Sequence, residues 1–497
     1  MYLENLKIET VATEKIAPNE KKEADLYARI GYRLEEALAD LVDNSIDAEA
    51  KNVLIRFQKY GEGIHSVLIV DDGRGMSKSG LKEAMRIGSD TNKGPSQLGK
   101  YGTGLKSASL SQAQSVTVLS RQNGIAVGRR WTIQGIRSGW ICERLNADHC
   151  SRAMNADFGP VETHQAGTMV IWEHLEHLRA SRSSLEKVLD RARKTVANEL
   201  AIRFHRLLEA EAVQIWIDEA DVTDEAAGEP VPVLPLNPFS HGGCGMSGYP
   251  KELSIELQKH RASLKLELHI WPAKSNLPGY RLGGGKVASR QGFYFYRNDR
   301  VIQAGGWNGL QGDDSEPHLS LARVAIDLPP KLESLFKLDI GKSMIDPPVE
   351  FSVALESGET GAVFRKFLKD AEATYRHQKR QDSAKFAFTG GNGFPAAVRK
   401  KMRAALSEKG LPAPSEGAVR WTRLPADELF RIEPASAEIQ LNKNFQATIE
   451  RDSAGAAVLV KALFLLLFQD DLAKSFMTEA SRDRIRRINQ ALLATLP

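Results

Sequence analysis

Asp40, Asp43, Asn44 and Asp47 fall in one short stretch, ALADLVDNSIDA (37–48), whose apolar residues recur at helical spacing. On a helix, residues three and four apart share a face. An amide one turn from a carboxylate can give an oxygen to a hard cation while the carboxylate orients a water. The plain alternative is a solvated polar stripe. A second cluster, VDDGRGMS (70–77), ends an apolar run in Asp71 and continues through Gly73, Gly75 and Met76. There the backbone can pass close to a ligand and the carboxylate can accept a hydrogen bond from it; a simple strand-end turn has the same pattern. A third cluster, LGKYGTGLKSAS (98–109), brings Gly99, Gly102, Thr103 and Gly104 to the start of a helix that carries Lys106. Free backbone N–H groups, the helix N-terminus and an ammonium all favour an anion. The chain has no GxxxxGK[ST] loop and no dinucleotide fingerprint, so the common phosphate-binding folds are disfavoured.

Positioning these clusters takes a set of alternating elements. Helical periodicity covers 25–48, and NVLIRF (52–57) and SVLIVDD (66–72) read as strands. A helix near 79–88 and another from 105 follow, then strands SVTVLSR (115–121), AVGRRWTI (126–133) and GTMVIWEHL (167–175). Without regular βαβ alternation, this predicts a helical layer on a mixed sheet. From 183 a helix leads to AVQIWID (212–218), an acidic, Pro-rich connector, and the strands LKLELHIWP (264–272), GFYFYRNDRVI (292–302) and LARVAIDLP (321–329), a second α+β unit. Residues 361–382 are helical and basic, 383–396 read as a linker, and a smaller mixed module follows.

The chain has 497 residues, enough for two to four domains, and 67 basic against 63 acidic side chains. That balance excludes a globally charged nucleic-acid binder; any such role is local. Lys and Arg outnumber Asp and Glu over 361–410, a solvated helix face or a phosphate-contacting patch. Cys142, Cys150 and Cys244 are too sparse for a disulfide framework or a zinc site, and His174 and His177 lack a third ligand. Residues 1–25 lack the apolar core of a secretory signal. The apolar run AGAAVLVKALFLLLF (454–468) is broken by Lys461 and falls short of the about 20 residues of a spanning helix. A buried helix and a cytoplasmic protein are expected.

In their order and spacing the three clusters resemble the GHKL ATPases, the superfamily of gyrase, MutL, histidine kinases and the ninety-kilodalton heat-shock chaperones. GTMVIW (167–172) supplies the fourth element, and the resemblance covers about residues 25–180. GLKSAS (104–109), YRNDRVI (296–302) and DIGKSMIDPP (339–348) are most similar to the MORC and MutL-like branch, some of whose bacterial members belong to restriction or antiphage defence systems. The resemblance implies an α+β protein: a Bergerat-type α/β sandwich ATPase domain (1–182), an α+β transducer domain (183–350), a basic helical segment and linker (351–410) and a C-terminal module (411–497).

It also implies ATP and Mg²⁺ as cofactors. Asn44 would coordinate Mg²⁺, and Asp71 would bond the adenine amino group, supported by Thr168. Gly75 and Met76 would line the adenine. Gly99, Gly102, Thr103 and Gly104 would wrap the phosphates, with Lys106 neutralising them. Lys342 would reach the γ-phosphate from the transducer domain. Asp40 stands where the family usually places a Glu as general base; being one methylene shorter, it predicts slow hydrolysis. An ATP-dependent homodimer acting as a clamp is implied, with DNA as client through 361–410, a nuclease or other operon-encoded protein as a further partner, and no membrane association. The alternative is a chaperone-like or regulatory switch acting on a protein. A signalling kinase is disfavoured because no His precedes His65.

Overall fold

The computed structural model describes residues 32–61, 63–86, 98, 104–175, 185–223, 228–311, 316–337, 345–384, 388–406, 415–449, 454–473, 477 and 479–495, with backbone alone at 377–384, 454 and 480. They divide into two compact units, Met1–Arg376 and His377–Pro497.

An eight-stranded mixed sheet dominates the first unit. Its strands are β1 (Asn52–Tyr60), β2 (Gly63–Asp71), β3 (Ala113–Gln122), β4 (Ile125–Thr132), β5 (Glu143–Arg144), β6 (Gly167–Leu175), β7 (Gln214–Asp221) and β8 (Val231–Pro232), in the order β5-β4-β3-β6-β2-β1-β7-β8. Successive strand side chains point to opposite faces. Val53, Ile55 and Phe57 of β1 and Val67 and Ile69 of β2 therefore enter one core, and Leu54, Leu68 and Val70 another. The first core is covered by helices α1 (Leu34–Asp47), α3 (Gly104–Gln112) and α4 (Leu185–Arg203); α2 (Lys78–Met85) adds Leu81 and Met85. The apolar residues of α1, among them Leu38, Leu41 and Val42, face that core. The helix stops where Glu49 turns left-handed at φ 62°, a conformation that costs an L-residue energy and does not propagate.

The expected boundary at 182/183 does not separate the sheets. Helix α4 puts Leu189, Val196 and Leu200 into the first core, and β7 pairs parallel to β1 with Val53 opposite Ile215. The open edge of β1 takes up a strand that sequence order assigned to the following unit.

The second sheet, ordered β12-β11-β13-β10-β9, contains β9 (Lys251–Leu257), β10 (Ala262–Ile270), β11 (Gly292–Arg297), β12 (Arg300–Ala304) and β13 (Ala322–Asp327). One face packs with Phe351, Phe364 and Phe367 from the helices that follow. On the other, Tyr294, Tyr296 and Val301 cluster with Ile202 of α4. The run read as one strand, 292–302, is a hairpin. Asn298 and Asp299 both have positive φ, 48° and 61°, the backbone of a tight two-residue turn. Arg297 and Arg300 consequently face each other across it.

The second unit holds a four-stranded sheet of β14 (Phe388–Gly390), β15 (Ser415–Thr422), β16 (Phe430–Glu433) and β17 (Glu438–Asn442). The expected linker therefore contains a strand. The apolar helix Ala454–Leu467 buries Ala457 and Leu465 but leaves Leu459, Leu463 and Leu467 exposed along one side, so it is not buried all round as expected. No helix among the described residues is long and apolar enough to cross a membrane.

Candidate functional site

Asp71 ends β2 with its carboxylate buried. Oδ2 accepts from Ser45 Oγ at 2.9 Å and Oδ1 from Gly73 N–H at 3.0 Å. Burial pushes its pKa up to about 6 against these hydrogen bonds, which favour the charged form. Thr168 lies directly opposite Asp71 in the β2–β6 register. Its hydroxyl is 3.0 Å from Ser120 Oγ, which also accepts from the Met76 N–H at 2.8 Å. Asp71, Ser45, Thr168, Ser120 and the Gly75–Met76 backbone thus form one connected polar wall. Gly75 is required there: its φ is +64°, and a Cβ would sit 1.7 Å from the Arg121 carbonyl oxygen.

At the other end of α1, Asp40 and Asp43 are buried. Tyr32 OH donates to Asp40 Oδ2 at 3.2 Å. Arg300, itself fully buried on β12, places Nε 2.7 Å from Asp43 Oδ1 and Nη2 3.5 Å from Asp40 Oδ1. Asp40 Oδ2 also faces Gly104, where a Cβ would lie 3.7 Å away. Asn44 Nδ2 is buried and meets no hydrogen-bond partner among the described residues. Asn44 Nδ2 therefore has an unspent N–H donor to offer an acceptor oxygen of a ligand.

Asp47 does not face that cluster; its Oδ1 accepts from the Leu98 N–H at 2.6 Å. The Leu98 carbonyl in turn accepts from Arg297 Nη1 at 2.8 Å, and Arg297 Nε donates to Glu333 at 2.7 Å. Lys106 is buried, and its ammonium donates to the Arg86 carbonyl. Gly99, Gly102, Thr103 and Lys342 lie outside the described residues.

The residues that bring these clusters together match a known family. Residues 32–168 fit the model of the histidine kinase-, DNA gyrase B- and HSP90-like ATPases. The chain carries an ATPase domain of that family. The chain is 32% identical over 92 residues to Protein MICRORCHIDIA 6 of Arabidopsis thaliana, covering 18% of this chain and 14% of that protein. Human ATPase MORC2 is 37% identical over 78 residues, 15% of this chain and 8% of that protein. The matched stretches thus span a small part of either relative. The solved N-terminal domain of a DNA repair protein aligns with 73% of this chain and 99% of its own at 17% identity, with a TM-score of 0.41, too loose a superposition to carry more.

Three positions that touch the candidate site escaped sequence reasoning. Ser120 looked like any strand Ser. Arg297 and Arg300 were noticed only as part of YRNDRVI. A signal was present: Asn-Asp between two β-rich runs is a hairpin turn, and a turn flanked by two arginines places both guanidinium groups side by side.

Proposed function

We propose that this protein binds and slowly hydrolyses ATP with Mg²⁺, and that nucleotide binding closes two copies into a clamp on DNA. The observation that carries the reading is Asp71: a buried carboxylate, held by Ser45 and Gly73 at a strand end, in register with Thr168 and beside a glycine that leaves no room for a side chain. Such a carboxylate accepts the exocyclic amine of adenine, and Thr168 and Ser120 orient it. Gly75 and Met76 line the base. Asn44 would hold the cation through its amide Oδ1, and its unspent Nδ2 would donate to a phosphate oxygen; the cation, when bound, neutralises phosphate charge. Asp40 orients the attacking water toward the phosphates presented at Gly104, where the helix N-terminus favours anions. Gly99, Gly102, Thr103 and Gly104 wrap the phosphates as a lid, Lys106 neutralises them by exchanging the Arg86 carbonyl for a phosphate oxygen, and Lys342 reaches in from the second sheet's domain.

The DNA client rests on Lys400, Lys401 and Arg403, exposed on the helix Ala396–Leu406 with few carboxylates nearby in sequence. A role in defence with a nuclease partner extends the same reading.

Titration with labelled ATP and Mg²⁺ tests the site. Wild type binds, and Asp71→Asn weakens binding by about tenfold or more, the worth of a charge-assisted hydrogen bond. Equal binding by the two would refute the reading. Electrophoretic retention of DNA, with and without a non-hydrolysable ATP analogue, tests the clamp. Reversing Arg399, Lys400 and Lys401 to Glu weakens retention and flattens its salt dependence; retention that ignores both nucleotide and charge points to a protein client instead.

A further inference from the structure

Away from the nucleotide site, three potential metal ligands converge on the second sheet. His241 and Cys244 belong to the loop SHGGC (240–244) that leads into β9, and His269 lies near the end of β10. His241 Nε2 is 3.0 Å from His269 Nδ1 and 3.5 Å from Cys244 Sγ, and all three ligand atoms lie within 4.8 Å of one another. The loop is held in place by Gly245, whose N–H donates to the Ile270 carbonyl at 2.8 Å. A Cβ on Gly245 would meet the Trp271 carbonyl at 2.6 Å, so only glycine allows this approach.

These separations suit a tetrahedral ion. With metal–nitrogen bonds of about 2.0–2.1 Å and metal–sulfur of about 2.3 Å, adjacent ligands sit about 3.3–3.6 Å apart. The two separations from His241 come within a few tenths of an ångström of these values, and the Cys244–His269 pair, within 4.8 Å, closes onto the ion when it binds. Burial and the neighbouring Arg323 hold both imidazoles below their ordinary pKa, and His241 adds to this for His269. His269 Nε2 faces Glu267 Oε1 at 3.5 Å. A carboxylate behind a ligating His is the usual way its tautomer and ring orientation are set.

We propose that His241, Cys244 and His269 bind one divalent transition metal ion of the zinc type, with a fourth position open to solvent. The half-exposed His241 and Cys244 leave that side accessible. On binding, Cys244 gives up its thiol proton to solvent and becomes the thiolate ligand. The ring proton of His241 shifts from Nε2 to Nδ1. Nδ1 now accepts from the Gly243 N–H at 3.1 Å, so that peptide turns away; it lies between two exposed glycines. Arg323, buried beside both rings, opposes a second cation, and the Cys244 thiolate and Glu267 offset it. The ion clips the loop to β10 and stabilises the second sheet by mass action.

Chelator-treated full-length protein titrated with Co²⁺ gives the test. One equivalent binds with a thiolate-to-cobalt charge-transfer band, and Zn²⁺ displaces it. Cys244→Ser removes the band and His269→Ala weakens binding by about tenfold or more. Metal raises the melting temperature of wild type but not of Cys244→Ser. ATP binding, which uses none of these residues, serves as the fold control: both variants retain it. If Co²⁺ and Zn²⁺ do not bind, or if the band persists in Cys244→Ser through Cys142 or Cys150, the proposal is overturned.

Discussion

Arg300 Nε lies 2.7 Å from Asp43 Oδ1, and both side chains are fully buried. One comes from a hairpin of the second sheet and the other from the helix that carries the candidate cation ligand Asn44. A buried ion pair adds little over a well-packed apolar pair, but removing one partner strands the other charge. Arg300→Met leaves Asp43 and Asp40 facing an apolar side chain. We expect a loss of about 3–5 kcal/mol, read as a lower midpoint in denaturant. Arg300→Lys keeps the charge but not the fork, and loses less. A midpoint unmoved by Arg300→Met would mean that the carboxylates are compensated elsewhere.

Leu98 is held from two sides, by Asp47 on its N–H and by Arg297 on its carbonyl. The second sheet thereby touches the first residue of the Gly-rich segment 98–104. Arg297→Ala is expected to weaken ATP binding by about tenfold, the value of a hydrogen bond to a charged group. Labelled-ATP titration measures it, and unchanged affinity would separate Arg297 from nucleotide binding.

The Asp71 carboxyl has a pKa raised to about 6 in the folded chain, above the usual carboxylate range, chiefly through burial. For an acid shifted upward, the stabilising contribution is present at low pH and is lost as pH rises through about 6. A ligand amine that donates to the carboxylate recovers that loss. ATP affinity should therefore improve as pH rises through about 6, while Asp71→Asn, weaker throughout, shows no step there. Parallel pH titrations that run in step would contradict the assignment.

Gly75→Ala puts a methyl group onto the Arg121 carbonyl at a positive-φ position. The β2 end must move, at a cost of about 1–3 kcal/mol. The melting temperature should fall and ATP affinity with it, because Met76 and Asp71 share that turn. A variant as stable as wild type would show that the turn can relax.

Asp40 is fixed by Tyr32 and Arg300 and faces Gly104. Asp40→Ala should keep ATP binding and slow hydrolysis by about a hundredfold or more, the contribution of a positioned base. Asp40→Glu extends the carboxyl and should turn over faster than wild type. If Asp40→Ala hydrolyses ATP as fast as wild type, another group is the base.

The first two site clusters and most elements of the first sheet were legible because their information is local. Helical spacing puts Asp40, Asp43 and Asn44 on one face, and a strand followed by Gly-x-Gly places Asp71 at an edge wherever the strand docks. Thr168 was reachable only through resemblance, since its pairing with Asp71 is a choice of strand partner. Strand β7 shows the limit: its apolar pattern marks a strand, but only packing decides that it completes the first sheet by pairing with β1. The same holds for Arg300 on Asp43, Arg297 on Leu98, and His269 beside His241 and Cys244. Each joins residues far apart in the chain, and nothing in either local segment specifies the other. Short-range geometry was written in the sequence of residues; the contacts between sheets arose only when burial forced distant polar groups to find partners.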